Sequence, residues 1–393
     1  MKKILSLIVL SFGLQSFNSQ SFIQAYQNRA NQVSQTNITT NLQEFSNFGI
    51  KTTGSTNNAN ALNWIKNKYL SYGYSASQIV EDPFSYTSGS NTINSKNLVI
   101  TKTGTVYPNK FVIICGHFDS INGPGVNDNG SGTSIILETA RILKDIPTEY
   151  SIKFIHFSGE EQGLRGSTHY ANTVAYQGTN RVLDIKLVFN LDQVGGKVGN
   201  NNNTIYCDED MGGNPNNTAA SVAATQELVT LTGLYSPLLT DIDTAENTDY
   251  VPFELKGEVI TGYFEKIRSN YPHTSNDTFA NTDPVYIYNV GKASVGALQH
   301  FAVAATSILS TEENTVNEWE EATIYPNPAK DFLNIKLPKN PKTFSFELID
   351  LLGHSLLKTE NQTKINVSGI SKGVYLGKII ADKHTVVRKV MIK

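Results

Sequence analysis

The feature that most constrains the fold is an alternation of strand-like and helix-like segments that begins at Phe111. Apolar, β-rich runs are each followed by a segment with helical spacing. The predicted strands are 111–115, 151–157, 185–191 and 258–264, and the predicted helices are 131–144, 167–175, 217–231 and 290–309. This alternation predicts an α/β domain with a mostly parallel central sheet and helices on both faces. A helix over 58–72 and a strand over 91–103 are predicted to precede it.

Residue types that commonly bind metal ions follow the ends of these predicted strands. His117 and Asp119 come directly after the first strand, and residues i and i+2 of an extended segment share a face. Asp128 follows in a glycine-rich, turn-forming loop. The later strands are followed by Glu160, Glu161, Asp192 and His273. Any one of these carboxylates would serve equally well as a helix cap or a solvated loop residue. Because ligands bind beyond the carboxyl ends of parallel strands, their joint placement favours a single site.

The residue types in this set favour a pair of divalent metal ions. The ligands are two imidazoles and three carboxylates: His117, Asp128, Glu161, Asp192 and His273. Two ions about 3.5 to 4 Å apart that share one carboxylate would use all of them. Mixed imidazole and carboxylate ligation suits Zn²⁺, although cobalt and manganese accept the same donors.

The expected chemistry is metal-assisted hydrolysis without a covalent intermediate. Such ions lower the pKa of a bound water toward about 7. Glu160 can accept the proton of that water and pass it to a leaving amine. Asp119 can orient the ring of His117 through its other nitrogen.

The order of these motifs resembles the two-zinc aminopeptidases of metallopeptidase family twenty-eight. The resemblance extends over about residues 41–310 and depends on five motifs: HFDS, GVNDNGSG, SGEEQGLRGS, NLDQVG and YPHTSNDTF. It implies two zinc ions per chain with Asp128 as their shared ligand, Glu160 as the general base and Asp119 as the partner of His117. It divides the other ligands between the ions, with His117 and Asp192 on one and Glu161 and His273 on the other. The implied substrate is a peptide with a free amino terminus, from which one residue, usually large and apolar, is removed.

One stretch departs from the family pattern. Relatives often carry a Ser-Asp-His triplet before the last ligand, whereas this chain has Thr248, Asp249 and Tyr250. Asp249 is therefore only a candidate for a supporting role. Tyr263 falls where relatives place residues of the substrate pocket.

Other functions remain open at this stage. A carboxypeptidase or dipeptidase could use the same metals, but it would need a cationic group for the substrate carboxylate. An inactive scaffold with structural metals would not need Glu160 beside a full ligand set. Glutaminyl cyclase, a related single-zinc transferase, is a further alternative, although the GEEQGLRGS stretch is more similar to a peptidase.

The two ends of the chain predict export. Residues 1–20 have two lysines, an apolar run and then small and polar residues, which is the order of a secretory signal peptide. No later run is apolar for long enough to span a bilayer, so the mature protein is predicted to be soluble, without a transmembrane span, and secreted through the periplasm. Its two cysteines, Cys115 and Cys207, do not predict a disulfide framework.

The C-terminal part differs from the rest in charge and in pattern. Residues 322–393 contain 12 Lys and Arg against 5 Asp and Glu, so they carry +7, and the formal net charge of −3 leaves −10 for residues 1–321. The small net charge does not suggest a nucleic-acid partner. The predicted domains are a metallopeptidase domain over 21–311, an acidic linker over 312–321 and a small β-sandwich of short strands over 322–393.

This β-sandwich resembles the C-terminal sorting domain of the type IX secretion system of Bacteroidetes. The matching pieces are YPNPAKDFLNI, FELIDLLGHSLLK and GVYLGKIIADKHTVVRKVMIK. The resemblance implies the type IX secretion machinery as a partner, export to the medium or the cell surface, and removal of the domain after export. The alternative is a sandwich that binds carbohydrate or a surface.

Overall fold

The computed structural model describes residues 21–211, 218–306, 322–338, 341–350, 354–381 and 384–393. The predicted signal peptide and acidic linker lie outside these residues. Among the residues described, no helix combines the length and the apolar composition that a membrane crossing requires.

The N-terminal domain has one large mixed sheet with helices on both sides. Its helices are α1 (Gln24–Ala30), α2 (Gln35–Ser46), α3 (Thr56–Ser71), α4 (Gly132–Leu143), α5 (Arg165–His169), α6 (Thr218–Tyr235), α7 (Val251–Glu254) and α8 (Pro284–Phe301). Its strands are β1 (Ile79–Ser88), β2 (Asn91–Lys102), β3 (Tyr107–His117), β4 (Tyr150–Phe157), β5 (Tyr176–Gln177), β6 (Asn180–Arg181), β7 (Asp184–Leu191), β8 (Thr204–Glu209), β9 (Leu239–Thr244) and β10 (Ile260–Glu265).

The sheet has the order β1-β2-β4-β3-β7-β10-β8-β9, and β5 pairs with β6 apart from it. The four central strands β4, β3, β7 and β10 are parallel to their neighbours within this group. The pairs β1-β2, β2-β4 and β10-β8 are antiparallel. The predicted α/β domain with a mostly parallel sheet is therefore confirmed.

Burial on both faces explains why the central strands are continuously apolar in the sequence. On β3, Val112 and Ile114 belong to one apolar cluster, whereas Ile113 and Cys115 belong to the cluster on the opposite face. Successive side chains of a strand point to opposite faces, so a strand covered on both sides needs apolar residues at every position. Cys115 and Cys207 are both buried free thiols.

Several elements differ from the sequence prediction. β1, β8 and β9 were not predicted, and the exposed edge strand β9 has the mostly polar sequence LTDIDT. Helix α8 begins at Pro284 rather than at residue 290, since the side chain of Asp283 caps its first turn and proline is favoured there. The predicted helix 167–175 is α5 followed by the helical segment Tyr170–Ala175.

The C-terminal domain contains only strands among its described residues. They are β11 (Thr323–Tyr325), β12 (Phe332–Lys336), β13 (Phe344–Ile349), β14 (Ser355–Glu360), β15 (Lys364–Asn366), β16 (Gly373–Ala381) and β17 (His384–Ile392). They form two sheets, β11-β12-β15 and β14-β13-β16-β17. Leu333, Phe346 and Val390 from these sheets lie in one apolar cluster, so the predicted small all-β domain is confirmed.

Candidate metal centre

The seven residues singled out in the sequence converge at one edge of the sheet. His117 is the last residue of β3, and Asp192 directly follows β7. Glu160 and Glu161 follow β4, and the loop that carries His273 follows β10. Because these four strands are neighbours and parallel, their carboxyl ends lie side by side.

A first group of possible ligands surrounds the imidazole of His117. Its Nε2 atom lies 3.3 Å from Asp128 Oδ1 and 3.3 Å from Asp192 Oδ1. On the other side of the ring, Nδ1 lies 3.2 Å from the backbone oxygen of Asp119. A proton on Nδ1 would be donated to that carbonyl, which leaves Nε2 free to bind a metal ion.

A second group uses the other oxygen of Asp128. His273 Nε2 lies 3.1 Å from Asp128 Oδ2 and 2.8 Å from Glu161 Oε2. In each group the possible ligand atoms lie within 4.8 Å of one another. Asp128 therefore belongs to both groups, one through each carboxylate oxygen.

The buried polar atoms of these groups fit a metal centre. Among the described residues, His117 Nε2, Asp128 Oδ2, Glu161 Oε1 and Asp192 Oδ1 are buried without a hydrogen-bond partner. Unpaired polar atoms in the interior cost free energy, and metal ions would satisfy all of them. The mixture of imidazoles and carboxylates matches the donors that zinc prefers.

The pKa values of these groups reflect the crowding of negative charge. Burial raises the pKa of Glu160 to about 10. The charge of His117 opposes this effect, and the charge of Asp192 adds to it. Burial and the charge of Asp128 raise the pKa of Glu161 to about 8. Burial also disfavours the charge of Asp128, but the neighbouring imidazoles of His117 and His273 lower its pKa to about 2. Bound cations would favour the charged form of each carboxylate.

Asp119 holds the loop between β4 and α5. Its carboxylate accepts hydrogen bonds from the backbone amides of Glu160 and Glu161, each at 3.3 Å. Its Oδ1 atom is 3.6 Å from His117 Nδ1, so the contact to that ring is made by the backbone carbonyl instead. Asp119 thus links the positions of His117, Glu160 and Glu161.

Two buried acids that the sequence did not single out hold Asp128 in place. Asp277 accepts hydrogen bonds from the backbone amides of Asn127 at 2.8 Å and Asp128 at 3.0 Å. Glu265 accepts from the side chain of Asn127 at 3.0 Å and from the amide of Gly196 at 2.7 Å. Asp277 lies inside the YPHTSNDTF motif, and this position is the one feature of the sequence that could have indicated its role.

A cavity of about 360 Å³ opens above these residues. It is lined by carboxylates, by Arg268 and His273, and by Phe264. The expectation that Tyr263 lines the pocket is wrong, because neighbouring residues of a strand face opposite ways. Tyr263 is buried against Phe189, with ring centroids 5.2 Å apart.

Asp249 and three further histidines are not members of the two ligand groups. Asp249 is fully buried, and burial raises its pKa to about 7. His156 is buried beside Tyr69, and His300 lies 2.7 Å from the hydroxyl of Tyr235. His169 lies 3.4 Å from Asp82. These three histidines thus make packing or surface contacts outside the two ligand groups.

Comparison with protein families confirms both resemblances. The model of peptidase family M28 matches residues 97–297, about half of the chain. The model of the secretion system C-terminal sorting domain matches residues 323–393.

Two curated relatives are similar over part of the chain. One is "Aminopeptidase YwaD" of Bacillus subtilis, 43% identical over 103 residues, which are 26% of this chain and 22% of that protein. Another is a "Probable zinc metalloprotease" of Pyrenophora tritici-repentis, 30% identical over 189 residues, which are 43% of this chain and 38% of that protein. The matches thus span less than two fifths of the length of either relative.

A solved structure shows the same fold. The aminopeptidase from Aneurinibacillus sp. strain AM-1 superposes with a TM-score of 0.61 at 18% identity, over 74% of this chain and 98% of that one. At this identity the likeness concerns the fold and not the reaction.

Proposed function

The chain belongs to peptidase family M28, and from this premise we propose that it is a zinc-dependent aminopeptidase that removes single residues from the free amino terminus of peptides. The observation that carries the proposal is the position of Asp128, whose two carboxylate oxygens face two separate groups of ligands. A shared carboxylate of this kind suits two ions that act together on one peptide bond.

Under this proposal each ion has its own imidazole and its own carboxylate. His117 and Asp192 would hold one ion, and Glu161 and His273 the other, with Asp128 shared. Zinc ions bound there would activate a water molecule and polarise the peptide carbonyl. The names of the relatives, an aminopeptidase and a probable zinc metalloprotease, support this assignment.

Glu160 is the proposed general base. Its Oε2 atom lies 4.0 Å from His117 Nε2, and Glu160 is absent from both ligand groups. The side chain is 14% exposed and lines the cavity, so it can reach a water molecule there. Glu160 would accept the proton of that water and deliver it to the leaving amine.

The cavity lining also supports a substrate with a free amine. Asp128, Glu160, Glu161, Asp192 and Glu246 are its carboxylates. They attract an ammonium group to the position beside the scissile bond. Phe264 offers an apolar surface for the first side chain, in keeping with the large apolar residue that the family resemblance implies.

A second candidate is a metal-dependent carboxypeptidase or dipeptidase. The observation that favours it is Arg268, which lines the same cavity and pairs with Glu246. A guanidinium group in this position could bind the terminal carboxylate of a short peptide. Acetylation of the substrate's amino terminus would stop the aminopeptidase, whereas amidation of the carboxyl terminus would stop only this alternative.

We also propose export through the type IX secretion system. The match of residues 323–393 to a sorting domain supports this route and the secretion machinery as a partner. The same proposal includes the order of the segments: a signal peptide over 1–20, a peptidase domain over 21–311, a linker over 312–321 and the sorting domain over 322–393. Loss of the protein from the culture medium when residues 322–393 are deleted would test it.

The test of the main proposal is hydrolysis of leucine p-nitroanilide before and after chelation. We expect activity that disappears with the metal and returns when zinc is added. A protein that binds zinc but hydrolyses neither this substrate nor a free dipeptide would contradict both candidates.

A further inference from the structure

The segment 51–58 contacts the metal centre from outside the region that the peptidase family model matches. Thr53 Oγ1 donates a hydrogen bond to Asp119 Oδ2 at 3.3 Å. The backbone of Lys51 pairs with Ser120, since the Lys51 amide donates to Ser120 Oγ at 3.1 Å and the Ser120 amide to the Lys51 carbonyl at 3.4 Å. The segment therefore contacts the residues directly after His117.

The side chain of Lys51 is fully buried beneath the site. Its Nζ atom donates to the backbone oxygen of Gly49 at 3.0 Å and to that of Pro124, and it lies 4.1 Å from the ring centroid of Phe45. Burial lowers the pKa of Lys51 to about 7, against the opposing charges of Asp277 and Asp119. A buried ammonium lowers stability relative to an apolar residue of the same length, which points to a role other than packing.

The turn 121–125, which Lys51 holds through Pro124, lies between two proposed metal ligands. Ser120 Oγ donates to the Gly123 oxygen at 3.0 Å, and Gly125 has a left-handed backbone with φ of 58°. The chain reaches Asp128 three residues after this turn. On its other side the turn packs closely on the loop of His273, because a Cβ atom on Gly123 would collide with the backbone oxygen of Thr274.

We propose that Lys51 is a positioning residue of the metal centre. Its ammonium group fixes the turn 121–125 through the carbonyl of Pro124. This turn then sets the positions of Asp128 and of the loop that carries His273. The inference rests on the proposed function, because it takes Asp128 and His273 as metal ligands. Of the two proposed ions, Lys51 would most affect the one held by Asp128, Glu161 and His273.

The test compares zinc affinity in the full chain and in Lys51→Met, by competition with a chromogenic chelator. Loss of a supporting contact typically weakens metal binding about 10- to 100-fold, and we expect this change for the more weakly held ion. At limiting zinc, kcat for leucine p-nitroanilide should fall with little change in KM, and kcat should recover when zinc is saturating.

Lys102→Met is the matched control. Lys102 is also buried, and its Nζ atom donates only to Thr148 Oγ1 among the hydrogen bonds of the described residues, at 3.2 Å. It pairs with Ile152 near the start of β4, at the sheet edge opposite the metal centre. Removing this ammonium should leave zinc affinity unchanged, so a general effect of losing a buried charge would show in both variants.

A folded Lys51→Met protein that binds both ions with the affinity of the wild type would overturn the inference. If that variant does not fold, Ser120→Ala decides, because it keeps the charge and removes two of the hydrogen bonds that order the turn. Weaker zinc binding by Ser120→Ala would support the inference, and unchanged affinity would overturn it. A wild-type protein that binds two zinc ions without hydrolysing peptides would overturn the proposed function alone, whereas one that binds no zinc would overturn both.

Discussion

Asp128 is buried and Glu160 is partly buried at the candidate metal centre, and the surroundings of the two acids differ. The backbone of Asp128 is fixed by Asp277, and each of its carboxylate oxygens faces an imidazole. Glu160 is held through its amide by Asp119, and its carboxylate points toward the cavity. A fixed carboxylate suits a ligand, and one that faces the cavity suits proton transfer.

Glu160→Gln should abolish turnover while the zinc content stays unchanged. The amide has nearly the shape of the carboxylate but cannot accept a proton, and general-base catalysis typically contributes about 10²- to 10⁴-fold. The measurements are kcat for leucine p-nitroanilide and the zinc content of the same preparation. His273→Ala is the contrasting variant, since it should lose one ion together with activity. Near-normal turnover by Glu160→Gln would show that another group is the base.

His156 should make the peptidase domain less stable in mild acid. Its ring is fully buried with Nε2 2.9 Å from the hydroxyl of Tyr69, and burial lowers its pKa from 6.5 to about 3. Below pH 6.5 the unfolded chain binds a proton that the folded chain does not, so stability falls as the pH falls. Between pH 7.5 and 5 this one group should cost about 2 kcal/mol of unfolding free energy.

The measurement for His156 is urea unfolding of the wild type and of His156→Gln at both pH values. The wild type should lose about 2 kcal/mol more than the variant, whatever their difference at pH 7.5. Any acid release of zinc affects both proteins and cancels in this comparison. Equal losses would mean that His156 is protonated in the folded protein.

At the residue scale, the sequence indicates the candidate ligands but not the residues that hold them in place. His117 and Asp192 could be proposed as ligands because each stands at the end of an apolar strand, and Asp128 because it lies in the glycine-rich loop that follows the first of these strands. Asp277 and Lys51 stand in polar stretches, and nothing in the sequence indicates that they are buried. Burial in such loops depends on long-range contacts that one sequence does not reveal.

Among the elements, helix α8 offers a direct test of an end cap. Asp283 accepts hydrogen bonds from the amides of Val285 at 3.0 Å and Tyr286 at 3.1 Å, and from the side chain of Asn202 at 2.8 Å. Asp283→Ala should lower the free energy of unfolding by about 1 to 2 kcal/mol. Asp283→Asn, which keeps an acceptor for the helix, should cost much less. Denaturant unfolding of the two variants checks this, and equal losses would show that the acceptor kept by Asn does not stabilise the helix.

The central strands could be predicted because two-sided burial makes them apolar at every position. Strand β9 could not, because only one of its edges pairs and its residues are mostly exposed. Strand β1 is the other edge strand, with mixed burial along its length. Edge strands carry a weaker signal, since half of their surroundings is water rather than protein.

On the scale of the whole molecule, the two domains have separate interiors. The apolar clusters of the first domain contain residues from 26 to 304, whereas that of the second contains residues from 322 to 392. A domain with its own core can fold alone. A chain that ends at residue 306 should therefore keep its zinc content, kcat and KM.

Calorimetry of the truncated and full-length proteins would accompany these activity measurements. The full chain should show an additional transition that the shortened chain lacks, while the transition of the peptidase domain should not move. A shortened protein that aggregates or loses its zinc would show that the sorting domain contributes to the stability of its neighbour.

The two ligand groups differ in their access to water. The side chains of His117 and Asp192 are 1% and 6% exposed, whereas that of His273 is 50% exposed. An ion leaves its site as water replaces its ligands, so the ion beside His273 would exchange in a short time and the ion beside His117 in a long one. A brief soak in cobalt would then label only the outer position. The pair would work as a permanent ion and a replaceable one, and the metal ions in the surrounding solution would set the identity of only the second.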